Sequence, residues 1–119
     1  MRNLTELNTS ATETRSSVTS DGLAIYFFSE RNGSGEIFKA SRNSLNDPFG
    51  DVEHLSFLDS PDYYVAGHPG ISADGTALYF CVDSSSVVSN IYVTYIPEPA
   101  TIVLLGAAIP WLLRKRRNV

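Results

Sequence analysis

Only one cysteine, Cys81, stands in the 119 residues, so no disulfide can close within the chain and the fold must rest on packing or on partners. Histidine is nearly as scarce: His54 and His68, scattered with Cys81, are too few to make a structural zinc site. Of nine Lys and Arg, four fall at 114–117, which leaves five cations against thirteen Asp and Glu in the rest of the chain. A body this acidic weighs against nucleic acid as a partner. No Gly-x-Ser-x-Gly elbow anchors a nucleophilic serine. No helical periodicity of apolar residues occurs before Ala100, and the first seventeen residues lack the apolar run of about seven to fifteen residues that a secretory signal needs. Rich in Ser, Thr and Asn, residues 1–16 read as a loop or disordered lead.

What is present is concentrated at the far end. Residues 96–119 read Ile-Pro-Glu-Pro-Ala-Thr, then an uncharged stretch to Leu113, then Arg114, Lys115, Arg116 and Arg117. Pro97 and Pro99 each fix φ and give up an amide donor, which holds Pro97-Glu98-Pro99 extended and open to another protein. As a helix, Ala100–Leu113 would reach about 21 Å at ~1.5 Å per residue, short of a hydrocarbon core of ~30 Å. The four cations suit the anionic cytoplasmic leaflet, at about 1 kcal/mol each, and so place Val119 in the cytoplasm and the body outside. A soluble amphipathic helix would show polar residues every third or fourth position; after Thr101 this stretch shows no such pattern.

This order of Pro-Glu-Pro, short apolar helix and terminal basic cluster resembles the PEP-CTERM protein-sorting domain of bacteria that make exopolysaccharide. The resemblance implies recognition at Pro97, Glu98 and Pro99 by a membrane-embedded exosortase, with Arg114 to Arg117 as the stop and orientation signal. It also implies transient anchoring of the helix in the inner membrane, then delivery of the upstream protein to the envelope or the medium. Such proteins carry a signal peptide, so the chain is expected to be a fragment or to have a start placed too late.

The body repeats itself. Ser17-Val-Thr-Ser-Asp21-Gly22-Leu-Ala-Ile-Tyr26-Phe27 aligns without gaps on Gly70-Ile-Ser-Ala-Asp74-Gly75-Thr-Ala-Leu-Tyr79-Phe80, at a constant offset of 53. After one inserted residue, Glu36 to Lys39 aligns on Asn90 to Val93. Each unit reads as strand, Asp-Gly turn, strand, polar turn, strand. Asp supplies a side chain that bonds its own backbone and Gly takes positive φ, as a tight turn needs. Leu23–Phe28 and Ala77–Val82, apolar on both faces, read as strands buried between stacked sheets. A further turn at Asn46–Gly50 precedes an outer strand over Val52–Phe57.

These units resemble the WD40-like propeller repeats of the TolB type, over about Ser17 to Tyr95. The expectation is an all-β fold: two propeller-blade-like antiparallel sheets over 17–95, an incomplete propeller, followed by the sorting segment 96–119 with its short hydrophobic helix. A closed ring needs about four to eight blades, so the two present cannot close within this chain.

Candidate chemistry is sparse. Asp21 and Asp74 form a conceivable carboxylate or metal pair, but each precedes the Gly of a repeated turn, where a structural role with Gly22 and Gly75 is the commoner one. The acidic stretch Asp47, Asp51, Glu53, Asp59 and Asp62 matches no calcium-loop spacing. Phe57, Tyr63 and Tyr64 offer a sugar-stacking surface, although such residues more often pack. The sequence therefore points to a non-enzymatic exported binding module for a protein or glycan, with an exosortase and the membrane as partners and no cofactor or metal. The alternative is a fragment of a secreted propeller hydrolase or lyase acting on polysaccharide or peptide.

Overall fold

The computed structural model describes residues 1–59, 64–83 and 89–96, with the backbone alone for 64–66. Seven strands build two antiparallel sheets, and among the described residues there is no α-helix and none long and apolar enough to cross a membrane. The first sheet runs β1 (Glu13–Val18), β2 (Ala24–Ser29), β3 (Glu36–Ser41), β4 (Gly50–His54) in chain order. The second runs β5 (Tyr64–Ile71), β6 (Ala77–Asp83), β7 (Ser89–Tyr95). The expected all-β architecture of two antiparallel sheets is thus present. The expected helix over 100–113 lies outside the described residues.

The outer strand comes earlier than its sequence suggests. Val52–Phe57 was expected to be extended, yet β4 ends at His54 and Ser56–Leu58 forms a single 3₁₀ turn. Leu55 and Leu58 are apolar and three positions apart, and the turn brings both into the core, at 6% and 5% exposure. A strand that ran on to Phe57 would have kept the pleat and lost one of these burials.

The repeat holds hydrogen bond by hydrogen bond. Thr19 N donates to Ala24 O (3.0 Å) and Gly22 N to Thr19 O (2.9 Å); their counterparts are Ser72 N to Ala77 O (2.9 Å) and Gly75 N to Ser72 O (2.9 Å). Arg42 N to Leu23 O (3.0 Å) has its counterpart in Ile96 N to Thr76 O (2.7 Å). The correspondence also reaches further upstream than the aligned residues. Arg15 (φ 55°) and His68 (φ 53°) are 53 positions apart, and each sits inside a register shift, between Thr14 and Ser17 in β1 and between Gly67 and Gly70 in β5. Two non-glycine residues held at positive φ in equivalent bulges mark one backbone plan used twice.

Strand alternation sends the two faces of the first sheet to different cores. Ala24, Tyr26 and Ile37 pack with Leu78, Phe80 and Val82 of the second sheet, closed off by Leu55, Leu58, Ile71 and Ile96. Ile25, Phe27, Phe38 and Ala40, on the opposite face, pack with Phe49 and with Leu7 and Leu4 of the lead. By the offset of 53, Leu78 and Phe80 correspond to Ile25 and Phe27. The second sheet therefore meets the first through the face whose own counterpart is turned away, a head-to-tail stacking of like units. Where the sheets meet, the Phe28 ring lies against Gly35 and Gly67; a Cβ on either would fall 2.0 Å or 2.6 Å from ring atoms.

The lead is ordered by that second core. Leu7 is buried to 4% exposure, its carbonyl accepts a hydrogen bond from Arg31 Nη2 (2.7 Å), and Glu6 accepts one from the Phe49 amide (3.3 Å). Glu13 then opens β1, beside Arg31 at 3.5 Å. Within a polar segment expected as loop or disorder, two leucines and one strand suffice to attach the chain, because the outward face of the first sheet would otherwise be bare.

Candidate functional site

The two Asp-Gly turns lie side by side. The Ser20 hydroxyl donates to Ala73 O (2.5 Å), and Ile71 N donates to the Ser17 hydroxyl (3.0 Å), so equivalent turns of the two units touch. Between them is an open cleft of about 350 Å³ that Asp21, Asp74, Lys39 and Tyr26 help to line. Each carboxylate is tied into its own turn through one oxygen. Asp21 Oδ1 accepts from Thr19 Oγ1 (2.7 Å) and Leu23 N (2.9 Å), while Asp74 Oδ1 accepts from Ser72 Oγ (2.7 Å), Thr76 Oγ1 (2.7 Å) and Thr76 N (3.1 Å). Gly22 and Gly75 follow, both at φ 75°.

Those donors favour the charged form. The Thr19 hydroxyl, then the Leu23 amide, lowers the pKa of Asp21; the Ser72 hydroxyl, then Thr76, lowers that of Asp74 from 3.8 to about 2. A carboxylate with a lowered folded-state pKa contributes stability above its unfolded value, and that contribution is lost as the pH falls through the folded one. The window for Asp74 thus runs from 3.8 down to about 2. Asp74→Asn is expected to flatten the acid-induced fall in the urea midpoint between those values. An identical fall in the variant would show that the turn does not depend on the charge.

A second cluster was not legible in the sequence. His54 Nε2 lies 2.5 Å from Glu36 Oε2 and 3.0 Å from Asp59 Oδ2. Glu36 opens β3, His54 ends β4, and Asp59 follows the 3₁₀ turn that buried Leu58 holds in place. The Leu55 amide bonded to Ile37 O (3.0 Å) fixes His54 beside Glu36, and the Phe38 ring packs on the imidazole with centroids 5.3 Å apart. On the same face, Arg31 lies over Phe38 at 4.9 Å and over Phe27 at 5.2 Å. Eighteen residues separate Glu36 from His54, so only the β3–β4 pairing brings them together. The signal available in advance was Glu36 as the first residue of a strand whose hairpin partner ends in histidine.

The other expected residues distribute as follows. Of the acidic stretch, Asp59 joins His54; Asp47 accepts from the Ser44 hydroxyl (3.0 Å), Asp51 and Glu53 are exposed on β4, and Asp62 lies outside the described residues. Among the described residues, His68 and Cys81 join no group of metal-ligating side chains. Phe57 is exposed, while Tyr63 and the Tyr64 side chain are not described. Pro97, Glu98, Pro99 and Arg114, Lys115, Arg116 and Arg117 also lie outside the described residues. Comparison with protein-family models and with curated proteins returned no match.

Proposed function

We propose that the chain is a non-enzymatic, exported bacterial surface protein: a propeller-type binding module delivered by a PEP-CTERM sorting signal and processed by an exosortase. The observation that carries this reading is the order of three features in residues 96–119: the Pro97-Glu98-Pro99 motif, the uncharged stretch to Leu113 and the Arg114–Arg117 cluster. Each part has a physical task. The prolines keep the recognised segment extended, the apolar stretch enters the bilayer as a short helix, and the cations stop it at the cytoplasmic face. A helix this short is held weakly, which suits a segment destined to be cleaved from its cargo.

The body supports the propeller part of the reading through its stacking. Two meanders with one hydrogen-bonding plan stack head to tail, each meeting the other through a non-equivalent face, the relation that blades in a radial array need. The ligand of such a module is a protein or a glycan.

Replacing Pro97, Glu98 and Pro99 by alanines, in a chain given an export signal and expressed in a bacterium with an exosortase, is expected to abolish C-terminal processing. Intact mass reads the outcome: the parent chain ends near Pro97 to Thr101 in the envelope or medium, and the variant stays full length. Normal processing of the variant would overturn the sorting assignment.

A further inference from the structure

We propose that Glu36, His54 and Asp59 bind one divalent transition-metal ion, for which Zn²⁺ is the probe. Their donor atoms all lie within 4.8 Å of one another and converge on one point, because the same Nε2 faces both carboxylates. Charge makes this convergence unusual. One imidazole carries at most one positive charge, while two carboxylates face it, and among the described residues no Lys or Arg pairs with either. A single Nε2–H also aligns well with only one oxygen at a time, so the second carboxylate, Asp59, depends on solvent for its remaining partners. A dication between the three donors would serve both carboxylates together and take the imidazole nitrogen as its third ligand.

The geometry requires little change. Ligands about 2.1 Å from a tetrahedral metal are separated by roughly 3.4 Å, against 2.5 Å and 3.0 Å here. The imidazole nitrogen and each carboxylate oxygen need only spread by less than about an ångström. The backbone beneath them is firm: β3–β4 pairing sets Phe38 against His54 and so places Glu36, two residues along on the same face, next to it, Phe38 supports the ring, and Leu58 anchors the turn before Asp59. Asp59 is the open side, with its side chain 46% exposed against 14% for Glu36, which leaves room for water to complete the coordination sphere. One nitrogen and two carboxylates suit zinc and its neighbours, whereas calcium and magnesium prefer all-oxygen sites. The ion would clip together the start of β3, the end of β4 and the 3₁₀ turn.

The test is calorimetric titration of the chelator-treated full chain with ZnCl₂, with CaCl₂ as comparator, alongside the melting temperature. The expected result is one Zn²⁺ per chain, a raised melting temperature and no comparable calcium binding. His54→Ala and Asp59→Asn should each weaken zinc binding at least about tenfold, Asp59→Asn being the variant whose exposed position keeps the fold intact. Cys81→Ser and His68→Ala should leave it unchanged. No zinc binding, binding indifferent to His54→Ala and Asp59→Asn, or binding lost with Cys81→Ser would each overturn the proposal.

Discussion

Tyr26→Ala is expected to destabilise the fold by about 3–5 kcal/mol, whereas Tyr79→Ala, at the same position of the second unit, should cost less than about 1 kcal/mol. The two tyrosines share sequence context, strand position and the turn before them, but not their surroundings. Tyr26 is 1% exposed, packed in the core between the sheets with Lys39 over its ring at 5.8 Å. Tyr79 is 50% exposed, on the face of the second sheet turned away from the first, together with exposed Ile91 and Tyr95. Burial and the nearby Glu53 carboxylate also raise the Tyr26 pKa. Set against a typical total of roughly 5–15 kcal/mol, the Tyr26 loss is severe enough to unfold much of the population, so Tyr26→Phe provides the graded control. Urea denaturation checks all three variants. Equal losses for Tyr26→Ala and Tyr79→Ala would mean that the outward face of the second sheet is covered in solution.

Local chemistry made the strands and turns legible. Asp21-Gly22 and Asp74-Gly75 announce turns because their geometry depends on two adjacent residues, and the aromatic strands that follow need no distant partner to be recognised. The repeat could be read for the same reason: a copied unit keeps its local signals. What was not legible depends on pairing over distance. The bulges at Arg15 and His68 have no residue signature, since neither is glycine; only the repetition of positive φ at an offset of 53 reveals them. The convergence of Glu36, His54 and Asp59 is created by strand register. The early end of β4 follows from Leu55 and Leu58 competing for the core, a choice that the β-propensity of Val52 to Phe57 does not contain. Most instructive is the split of the first sheet into two cores, because a strand apolar on both faces says that something covers each face without saying what.

On the outward face the cover is the lead, and the consequence is large. Leu7→Ala is expected to cost about 2–5 kcal/mol, the range for truncating a buried leucine, although the residue lies in a segment whose composition is that of a loop. Leu7 closes over Ile25, Phe27, Phe38, Ala40 and Phe49, and its own carbonyl is held by Arg31, which also covers the Phe27 and Phe38 rings. Removing the side chain therefore opens a cavity under aromatic rings and loosens the anchor of the arginine above them. The neighbouring exposed substitution Asn8→Ala supplies the contrast, with an effect within about 0.5 kcal/mol, since its amide bonds only to Asn3 at the surface. Urea midpoints for the two variants decide the matter. If Leu7→Ala were as mild as Asn8→Ala, the lead would be detached in solution and the outer face of the first sheet would be as bare as that of the second, leaving both ends of the stack open to neighbouring sheets.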